Sequence, residues 1–454
     1  MFLTHAQLRY WLERVIEDKT RQGHVTDGLP AELAAIPDSY DALHEFAQKL
    51  ASLPMRSDWP FVEPNDWDAI RSEMDRNRAS DPIAHVDIED AAQRVEAAFL
   101  ASVCGCILGK PLEIRPTLEE LRAAFERIGE WPIRDYVSER VLSEGKLREF
   151  HWTWDETVRE RIRYAAPDDD INYTIAGMLL LEKHGLELLP KHVRDLWMVN
   201  IPPGWSWGPE RTMVVKAGAD SRFLPTDDLP NWVNVLNPGD ELCGAMIRAD
   251  AYGYACPGRP ELAAELAWRD ASFTHRRTGI YGTMFAAAAI STAFIERDRL
   301  QVFDTALRYV PQKSRFYKIV SDALNDVAHA RDWLDGYQRI HSKYAEYGHC
   351  RVYQESGTLI NTLRFAENVG DVICKQVMQG NDTDSYGATA GSILGAFFGP
   401  GYLEHRWLAP FNDTIHVTLA EFHEQRLSAV AKRMSALPGL IADALAERDL
   451  RDIT

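Results

Sequence analysis

Two acidic clusters, far apart in the chain, contain the residue types with the clearest chemistry. The first is Asp168-Asp169-Asp170 in the segment PDDDINYT, and the second is Asp382, Asp384 and Ser385 in the segment GNDTDSYG. Each cluster stands at the start of a stretch with helical spacing. Carboxylate and hydroxyl oxygens, with no thiol or imidazole beside them in sequence, suit Mg²⁺, Mn²⁺ or Ca²⁺ better than zinc.

Helix capping is the alternative explanation for these acids, because negative charge at a helix N-terminus satisfies free N–H groups and the helix dipole. For either cluster alone, capping is the better explanation. If the two helices pack together, five carboxylates without a cation would repel one another and have raised pKa values. A pair of divalent ions would remove this repulsion and could polarise a substrate oxygen or activate a water. Together the clusters favour a metal centre.

Helical periodicity dominates the chain and predicts an all-α fold that holds these clusters. Thr117 and Glu120 form a capping box before a helix that ends near Gly129. A long ordered loop is predicted over residues 199–240, which are rich in Pro, Gly and Trp. Further helices are predicted over residues 260–270, 278–296, 314–331, 357–368 and 419–447.

Small residues recur every four positions in two of the predicted helices, one with Ala97, Ala101, Gly105 and Gly109 and the other with Gly387, Gly391, Gly395 and Gly399. Glycine destabilises a helix by about 1 kcal/mol relative to alanine, so its repetition indicates a packing role. We expect both helices to pack closely in the core, and they could pack against each other. Coincidence in a chain rich in Ala and Gly is the alternative.

Composition excludes several classes of function. The chain has 454 residues, 46% of them hydrophobic, and a net charge of −18, which argues against a nucleic-acid or anionic-membrane surface. Neither a signal peptide nor a membrane-spanning run is expected. The six cysteines form no CxxC pair and are interpreted as reduced thiols of a cytoplasmic protein.

Residues 1–90 contain nine Lys or Arg and eighteen Asp or Glu, so their charge is 9 − 18 = −9. Because residues 74–87 resemble a linker, we predict an acidic helical N-terminal extension over residues 1–87 and a main domain over residues 88–454. The extension could be a solubilising cap on the main domain. It could instead be a docking surface for a basic partner.

Four blocks of sequence, in order, resemble the ADP-ribosylglycohydrolase family, the group that includes the dinitrogenase-reductase-activating glycohydrolase. They are AAFLASVCGCILGKPLE (97–113), DDDINYT (168–174), GAMIRADAYGY (244–254) continued by PELAAELAWRDASFTH (260–275), and QGNDTDSYGATAGSILG (379–395). The resemblance implies a compact all-α bundle that binds two Mg²⁺ ions, with Mn²⁺ as a substitute, and that removes ADP-ribose from modified protein side chains.

The resemblance also assigns residues. It implies metal binding by the first cluster and by the second, namely by Asp168, Asp169, Asp170, Asp382, Asp384 and Ser385. The catalytic residues would be Glu113, Asp169 and Asp170, with the base either Glu113 or a metal aspartate. Substrate contacts are expected from Gly380, Tyr386 and Gly387. Trp152, Trp154, Trp205, Trp207 and Tyr386 are candidates to stack on the adenine, although buried core positions are the commoner use of such residues.

The chain departs from the family pattern in its first block and its first acidic cluster. The family often has Gly-Asp-Ala-Leu-Gly, and here Cys106 stands where that acid would be. Asp168 stands where the family usually has threonine. Two residues of the third block, Arg248 and Asp250, could equally form buried structural contacts or touch substrate, and His275 favours a core role.

The expected function is therefore Mg²⁺-dependent hydrolysis of ADP-ribosylated protein, with arginine as the first choice of acceptor. The alternative is an immunity protein whose N-terminal extension binds and occludes an ADP-ribosyltransferase toxin, with or without hydrolysis.

Overall fold

A computed structural model describes residues 3–219, 229–344, 347 and 350–453 of the chain. It confirms the predicted all-α fold: within these residues the regular elements are helices, and extended segments meet only in isolated bridges. One stretch, Ile88–Leu112, is long and apolar enough to cross a membrane, but 83% of its most apolar window is buried inside the protein. Core packing therefore accounts for its apolar composition.

The N-terminal extension is helical, as predicted, and has an apolar core of its own. Residues of its first and third helices, including Leu12, Val15, Leu43, Phe46 and Leu50, are buried together. The four helices of this segment are α1 (His5–Arg21), α2 (Leu29–Ala35), α3 (Tyr40–Ala51) and α4 (Trp67–Glu73).

The main core is formed by the helices that follow, together with Ile70 of α4 and Met74. The first group is α5 (Ile88–Gly109), α6 (Leu118–Arg127), α7 (Arg140–Ser143), α8 (Trp154–Thr157), α9 (Asp169–His184), α10 (Pro190–Asn200), α11 (Gly208–Ala219), α12 (Leu229–Asn234), α13 (Asp250–Ala255), α14 (Pro260–Ala271) and α15 (Thr278–Ala293). The second group is α16 (Arg299–Leu307), α17 (Arg315–Ala328), α18 (Trp333–Tyr344), α19 (Val352–Phe365), α20 (Val369–Met378), α21 (Thr383–Phe398), α22 (His405–Leu408), α23 (Leu427–Met434) and α24 (Leu437–Ile453).

Helices α5 and α21 pack against each other in antiparallel fashion along their small-residue ridges. Gly105 lies against Gly387, Gly109 against Thr383, and Gly391 against Ala101, so closely that a methyl group on any of these glycines would overlap the facing backbone. This confirms the predicted close packing. Because α21 starts where α5 ends, the contact places the second acidic cluster beside the turn that follows α5.

Several predicted helices are present with small differences at their ends, and two predictions were wrong. The capping box of Thr117 and Glu120 starts α6 as expected. Residues 419–447 are not one helix, because the chain is extended before α23 and breaks again before α24. The predicted loop over residues 199–240 contains helices α11 and α12, and residues 220–228 lie outside the described part of the chain.

The N-terminal extension packs on the main domain through buried polar contacts. Arg351 donates to Asp18 at 3.1 Å, and the amide of Gly239 donates to the other oxygen of Asp18 at 2.7 Å. Arg315 contacts Glu63 of the extension at 2.8 Å and Glu241 of the main domain at 2.5 Å. Part of the extension's excess negative charge is therefore used inside the protein.

Candidate active site and metal centre

Asp168 both caps a helix and takes part in a cluster of charged side chains. It is the N-cap of α9, with an extended backbone, and its Oδ1 accepts a hydrogen bond from the amide of Asp170 at 3.0 Å. Its Oδ2 lies 2.6 Å from the Nζ of Lys110. The capping explanation is correct for this residue without excluding the functional one.

Two consecutive residues with left-handed backbone conformations form the turn that positions the second cluster. Gly380 has a φ of +79° and Asn381 a φ of +61°, conformations that glycine and asparagine tolerate best. The amide of Asn381 donates to the carbonyl of Pro116 at 2.9 Å, which fixes this turn. Asp382 then occupies the N-cap of α21 without forming a side-chain capping bond. Its carboxylate accepts instead from the thiols of Cys243 and Cys350, at 3.2 and 3.3 Å.

The two acidic clusters meet at the side chain of Lys110, which is only 5% exposed. Besides Asp168, its ammonium contacts Asp384 of the second cluster at 2.9 Å and Glu113 at 2.7 Å. A longer contact of 3.4 Å joins the hydroxyl of Ser385 to Asp170. The structure therefore brings all the predicted metal residues into one region.

A cavity of about 290 Å³ lies beside this cluster, with Lys110, Glu113 and Ser385 in its wall. Asp169 and Asp382, one from each cluster, both line it. The other charged or polar side chains of its wall are Lys110, Glu113, Arg115, His151, Tyr173, Glu210, Cys243, Cys350 and Ser385, and Trp207, which is 41% exposed, lines it as well.

The site holds several buried carboxyl groups, and the Lys110 ammonium contacts three of the carboxyl groups in this region. Burial, followed by repulsion from Asp168, raises the pKa of both Asp169 and Asp170 well above the usual value. Burial and the charge of Asp384 likewise raise the pKa of Glu113. Burial also acts on Asp384, but the contact with Lys110 outweighs it and lowers that pKa. The carboxyl groups that the ammonium does not satisfy would be stabilised by a further cation.

The donor set fits a hard divalent cation. Asp170 Oδ1 and Asp384 Oδ1 are buried oxygens without a hydrogen-bond partner in the described structure. Ligand oxygens of Glu113, Asp382 and Asp384 lie within 4.8 Å of one another, close enough to share one ion. Carboxylate oxygens of this kind are the ligands that Mg²⁺ and Mn²⁺ prefer.

Sequence reasoning missed several residues of the site. Burial and the Lys110 ammonium lower the pKa of His151 to about 4, and its Nε2 lies 3.5 Å from Glu113. Cys243 and Cys350 lie on adjacent segments of the chain, where the amide of Cys243 donates to the carbonyl of Cys350 at 2.8 Å. Only Lys110 gave a signal, because it stands in a conspicuous block three residues before Glu113.

Three residues expected to contact substrate lie outside the cavity wall. Gly387 touches Gly105 in the α5–α21 contact, and a side chain on Gly380 would overlap the carbonyl of Pro116. The ring of Tyr386 is buried, with its hydroxyl 3.6 Å from the sulfur of Met246. All three have packing roles that explain their residue types, and their contact with substrate stays a prediction.

The remaining candidates separate into core and rim. Arg248 is buried in ion pairs with Glu210, at 2.6 Å, and with Asp270. His275 is fully buried beside the same Glu210. Asp250 binds Ser102 and Ser392. Of the tryptophans, Trp207 lines the cavity, Trp152 and Trp205 form a pair with ring centroids 6.0 Å apart, and Trp154 packs near Phe150.

The chain is similar to known proteins in sequence and in fold. The family model described as ADP-ribosylglycohydrolase matches residues 87–440. A solved structure described as an ADP-ribosylglycohydrolase-related protein complex is similar in fold, with a TM-score of 0.50 and 17% identity, over 77% of this chain and 99% of that chain. No curated protein matches the chain by sequence. Since the family model covers most of the sequence, including both acidic clusters, the chain belongs to the ADP-ribosylglycohydrolase family.

Proposed function

We propose that this protein is a Mg²⁺-dependent hydrolase that releases ADP-ribose from modified protein side chains, with arginine as the acceptor. The observation that carries the proposal is the convergence of Glu113, Asp169 and Asp382 on one cavity, in a chain of a glycohydrolase family. Mn²⁺ is the expected substitute for Mg²⁺, since both prefer oxygen ligands.

The size and rim of the cavity suit one end of ADP-ribose. A volume of about 290 Å³ is at the lower limit of small-molecule sites, so it would hold a ribose while the rest of the ligand lies outside. Arg115 lines the mouth and is exposed, where a guanidinium can pair with a diphosphate. Trp152 is 66% exposed beside Trp205, and flat aromatic surfaces of this kind stack on adenine.

The bond to be cut joins ribose C1″ to a side-chain nitrogen, and its cleavage builds positive charge on the sugar. A divalent ion held by the carboxylates of the site would orient ribose hydroxyls and lower the pKa of a water. Ionised aspartates around the cavity stabilise the developing charge. Glu113 and Asp169 both line the cavity, and either is placed to accept the proton of the attacking water. His151 lies next to Glu113 and can exchange a proton with it.

The test is release of ADP-ribose from an arginine-modified protein, measured with Mg²⁺, with EDTA, and with Mg²⁺ restored. We expect release with Mg²⁺, its loss in EDTA, and its recovery. Glu113→Gln and Asp169→Asn should lower kcat at least 100-fold, because each removes a candidate proton acceptor. Glu119→Gln, an exposed acid on α6, is the control and should keep full activity. Release that is unaffected by EDTA would contradict the metal dependence, and absence of release from any modified side chain would contradict the hydrolase.

Occlusion of an ADP-ribosyltransferase toxin is the alternative, motivated by the acidic N-terminal extension. Asp18 and Glu63 of this extension pair with arginines of the main domain, which favours the cap over the docking surface. A toxin pull-down tests the alternative. It compares the wild-type protein with a full-length variant in which the exposed acids Glu13, Asp41 and Glu45 are changed to glutamine. Capture that falls with these changes, together with cell protection that survives Asp169→Ala/Asp382→Ala, would support occlusion; unchanged capture would remove it.

A further inference from the structure

The side chain of Lys110 lies where the two acidic clusters meet. Its ammonium has three N–H donors, and three carboxylates surround it: Asp168 at 2.6 Å, Glu113 at 2.7 Å and Asp384 at 2.9 Å. Asp168 belongs to the first acidic cluster and Asp384 to the second. The lysine therefore joins the two clusters in the way that a bridging metal ion would.

We propose that the Lys110 ammonium replaces one of the two divalent ions that the family pattern implies, so that the site binds a single divalent ion beside a fixed positive charge. The inference rests on the proposed metal-dependent function but concerns only the number of ions. It changes the expectation of two Mg²⁺ to one.

The backbone holds this ammonium in place. Lys110 follows directly after Gly109, whose backbone is pressed against Thr383 at the start of α21. The hydroxyl of Thr383 donates to the carbonyl of Gly109 at 2.8 Å, which locks the two segments together. Because the side chain is 5% exposed and surrounded by acids, its withdrawal would leave either a buried unpaired charge or a rearranged α5–α21 contact.

A second ion at this position would compete with the ammonium for the same carboxylates. Mg²⁺ requires oxygen ligands at 2.0–2.1 Å. A second ion that bound Asp168 Oδ2 at that distance would lie within about 5 Å of the ammonium nitrogen, where the two positive charges repel each other. The first block differs as well, because Cys106 stands where the family often has an acid, and its sulfur lies within 4.8 Å of ligand oxygens of Asp168 and Asp170. Asp168, which stands where the family usually has threonine, offsets the acid missing at Cys106, so the net change in the charge of the site is the Lys110 ammonium.

The remaining donors suffice for one ion. Asp384 binds Lys110 through Oδ2, and its Oδ1 is buried without a hydrogen-bond partner in the described structure. Glu113 and Asp382 place oxygens within 4.8 Å of Asp384, and Asp169 lines the same cavity. Asp384 would then bridge the ammonium and the single ion, as a shared carboxylate does between two metals.

Mn²⁺ binding to the full-length, metal-stripped protein tests the inference without relying on activity. We expect one tightly bound Mn²⁺ per chain, with the hyperfine spectrum of an isolated ion in electron paramagnetic resonance. Lys110→Met, which keeps the length of the side chain and removes its charge, should bind two Mn²⁺ and show exchange coupling between them. Lys375→Met is the matched control: it removes a half-buried lysine paired with Asp371 on α20, and should still bind one ion.

Each outcome decides the matter. Two ions or a coupled spectrum in the wild-type protein overturns the inference, as does a single ion in folded Lys110→Met. If that variant does not fold, the wild-type stoichiometry and spectrum decide, with one uncoupled ion supporting the inference. ADP-ribose release, measured on the same samples, separates the two proposals. Two ions with release overturn only the inference, one ion without release overturns only the proposed hydrolase, and no bound ion overturns the inference and the metal dependence together.

Discussion

Asp250 lies in one of the four sequence blocks that resemble the family, and its buried carboxyl group stabilises the fold instead of taking part in catalysis. Its Oδ2 accepts from Ser102 at 3.2 Å and from Ser392, and these serines belong to α5 and α21. Its Oδ1 is buried without a hydrogen-bond partner in the described structure. Asp250 therefore connects α13 to the central helix pair, and burial raises its pKa to about 7.

This raised pKa predicts a pH dependence of stability. Between the ordinary value of 3.8 and about 7, the folded protein keeps a proton on Asp250 that the unfolded chain has lost. The free energy of unfolding therefore falls as pH rises through this window. Asp250→Asn cannot ionise, so its stability relative to wild type should increase by up to about 4 kcal/mol from pH 4 to pH 8.

Urea unfolding of both proteins at pH 4 and pH 8 measures this difference. Asp41→Asn, a change at an exposed acid, is the control, and its difference from wild type should be nearly independent of pH. If the Asp250→Asn and wild-type stabilities change in parallel across the window, the buried ionisation does not occur.

At the scale of elements, the contact between α5 and α21 determines where the acids lie. The glycine and alanine ridges allow the two backbones to approach directly, and Gly109 touches Thr383 at the end where the site is formed. Larger residues on either ridge would separate the helices and move Lys110 away from Asp384. The stability of the helix pair and the geometry of the site therefore depend on the same small residues.

Gly391→Ala should reveal this constraint. The added methyl group would overlap the carbonyl of Ala101, so we expect a loss of about 1–3 kcal/mol or more in the free energy of unfolding. Gly218→Ala in α11 is the matched control, because a methyl group there meets nothing within 4 Å. That change should instead stabilise the protein by about 0.5–1 kcal/mol, the usual preference of a helix for alanine. Urea unfolding of both variants provides the comparison, and equal effects at the two positions would contradict a packing role for the ridge.

At the scale of the whole molecule, the N-terminal extension contacts the two segments that contain the thiols of the site, Cys243 and Cys350. Asp18 on α1 binds both Arg351 and the amide of Gly239. Arg351 follows Cys350, and it forms an antiparallel bridge with Leu242, the residue before Cys243. The residue that Asp18 binds, Arg351, is therefore next in sequence to Cys350, which lines the cavity together with Asp382.

Asp18→Ala should therefore loosen this wall. It leaves the Arg351 side chain, of which only 10% is exposed, without the carboxylate of Asp18, so we expect a loss of about 3 kcal/mol or more in stability. Hydrogen exchange should become faster at residues 239–243 and 350–352. Asp38→Ala removes a pair with Arg9 in which the acid is 68% exposed, and should change stability by at most about 0.5–1 kcal/mol. Unchanged exchange at residues 239–243 in Asp18→Ala would show that the extension does not brace the site.

The sequence by itself determined the features that depend on neighbouring residues. The all-α class follows from helical periodicity, the start of α6 from Thr117 and Glu120, and the close contact of α5 and α21 from glycines at four-residue spacing. The break before α24 also had a local signal, since Pro438 is tolerated only in the first turn of a helix. The prediction of one continuous helix over residues 419–447 was wrong because it placed Pro438 in the interior of a helix.

Only the tertiary structure decided which distant side chains meet. Nothing near Cys243, Cys350 or His151 in the sequence indicates that they lie beside Asp382 and Glu113, because those contacts arise from packing of segments remote along the chain. The same holds for Lys110. Its place directly after the glycine ridge of α5 can be predicted from the sequence, whereas its three carboxylate partners cannot. Charge and spacing are local properties, whereas the partner that neutralises a buried charge is chosen by the fold.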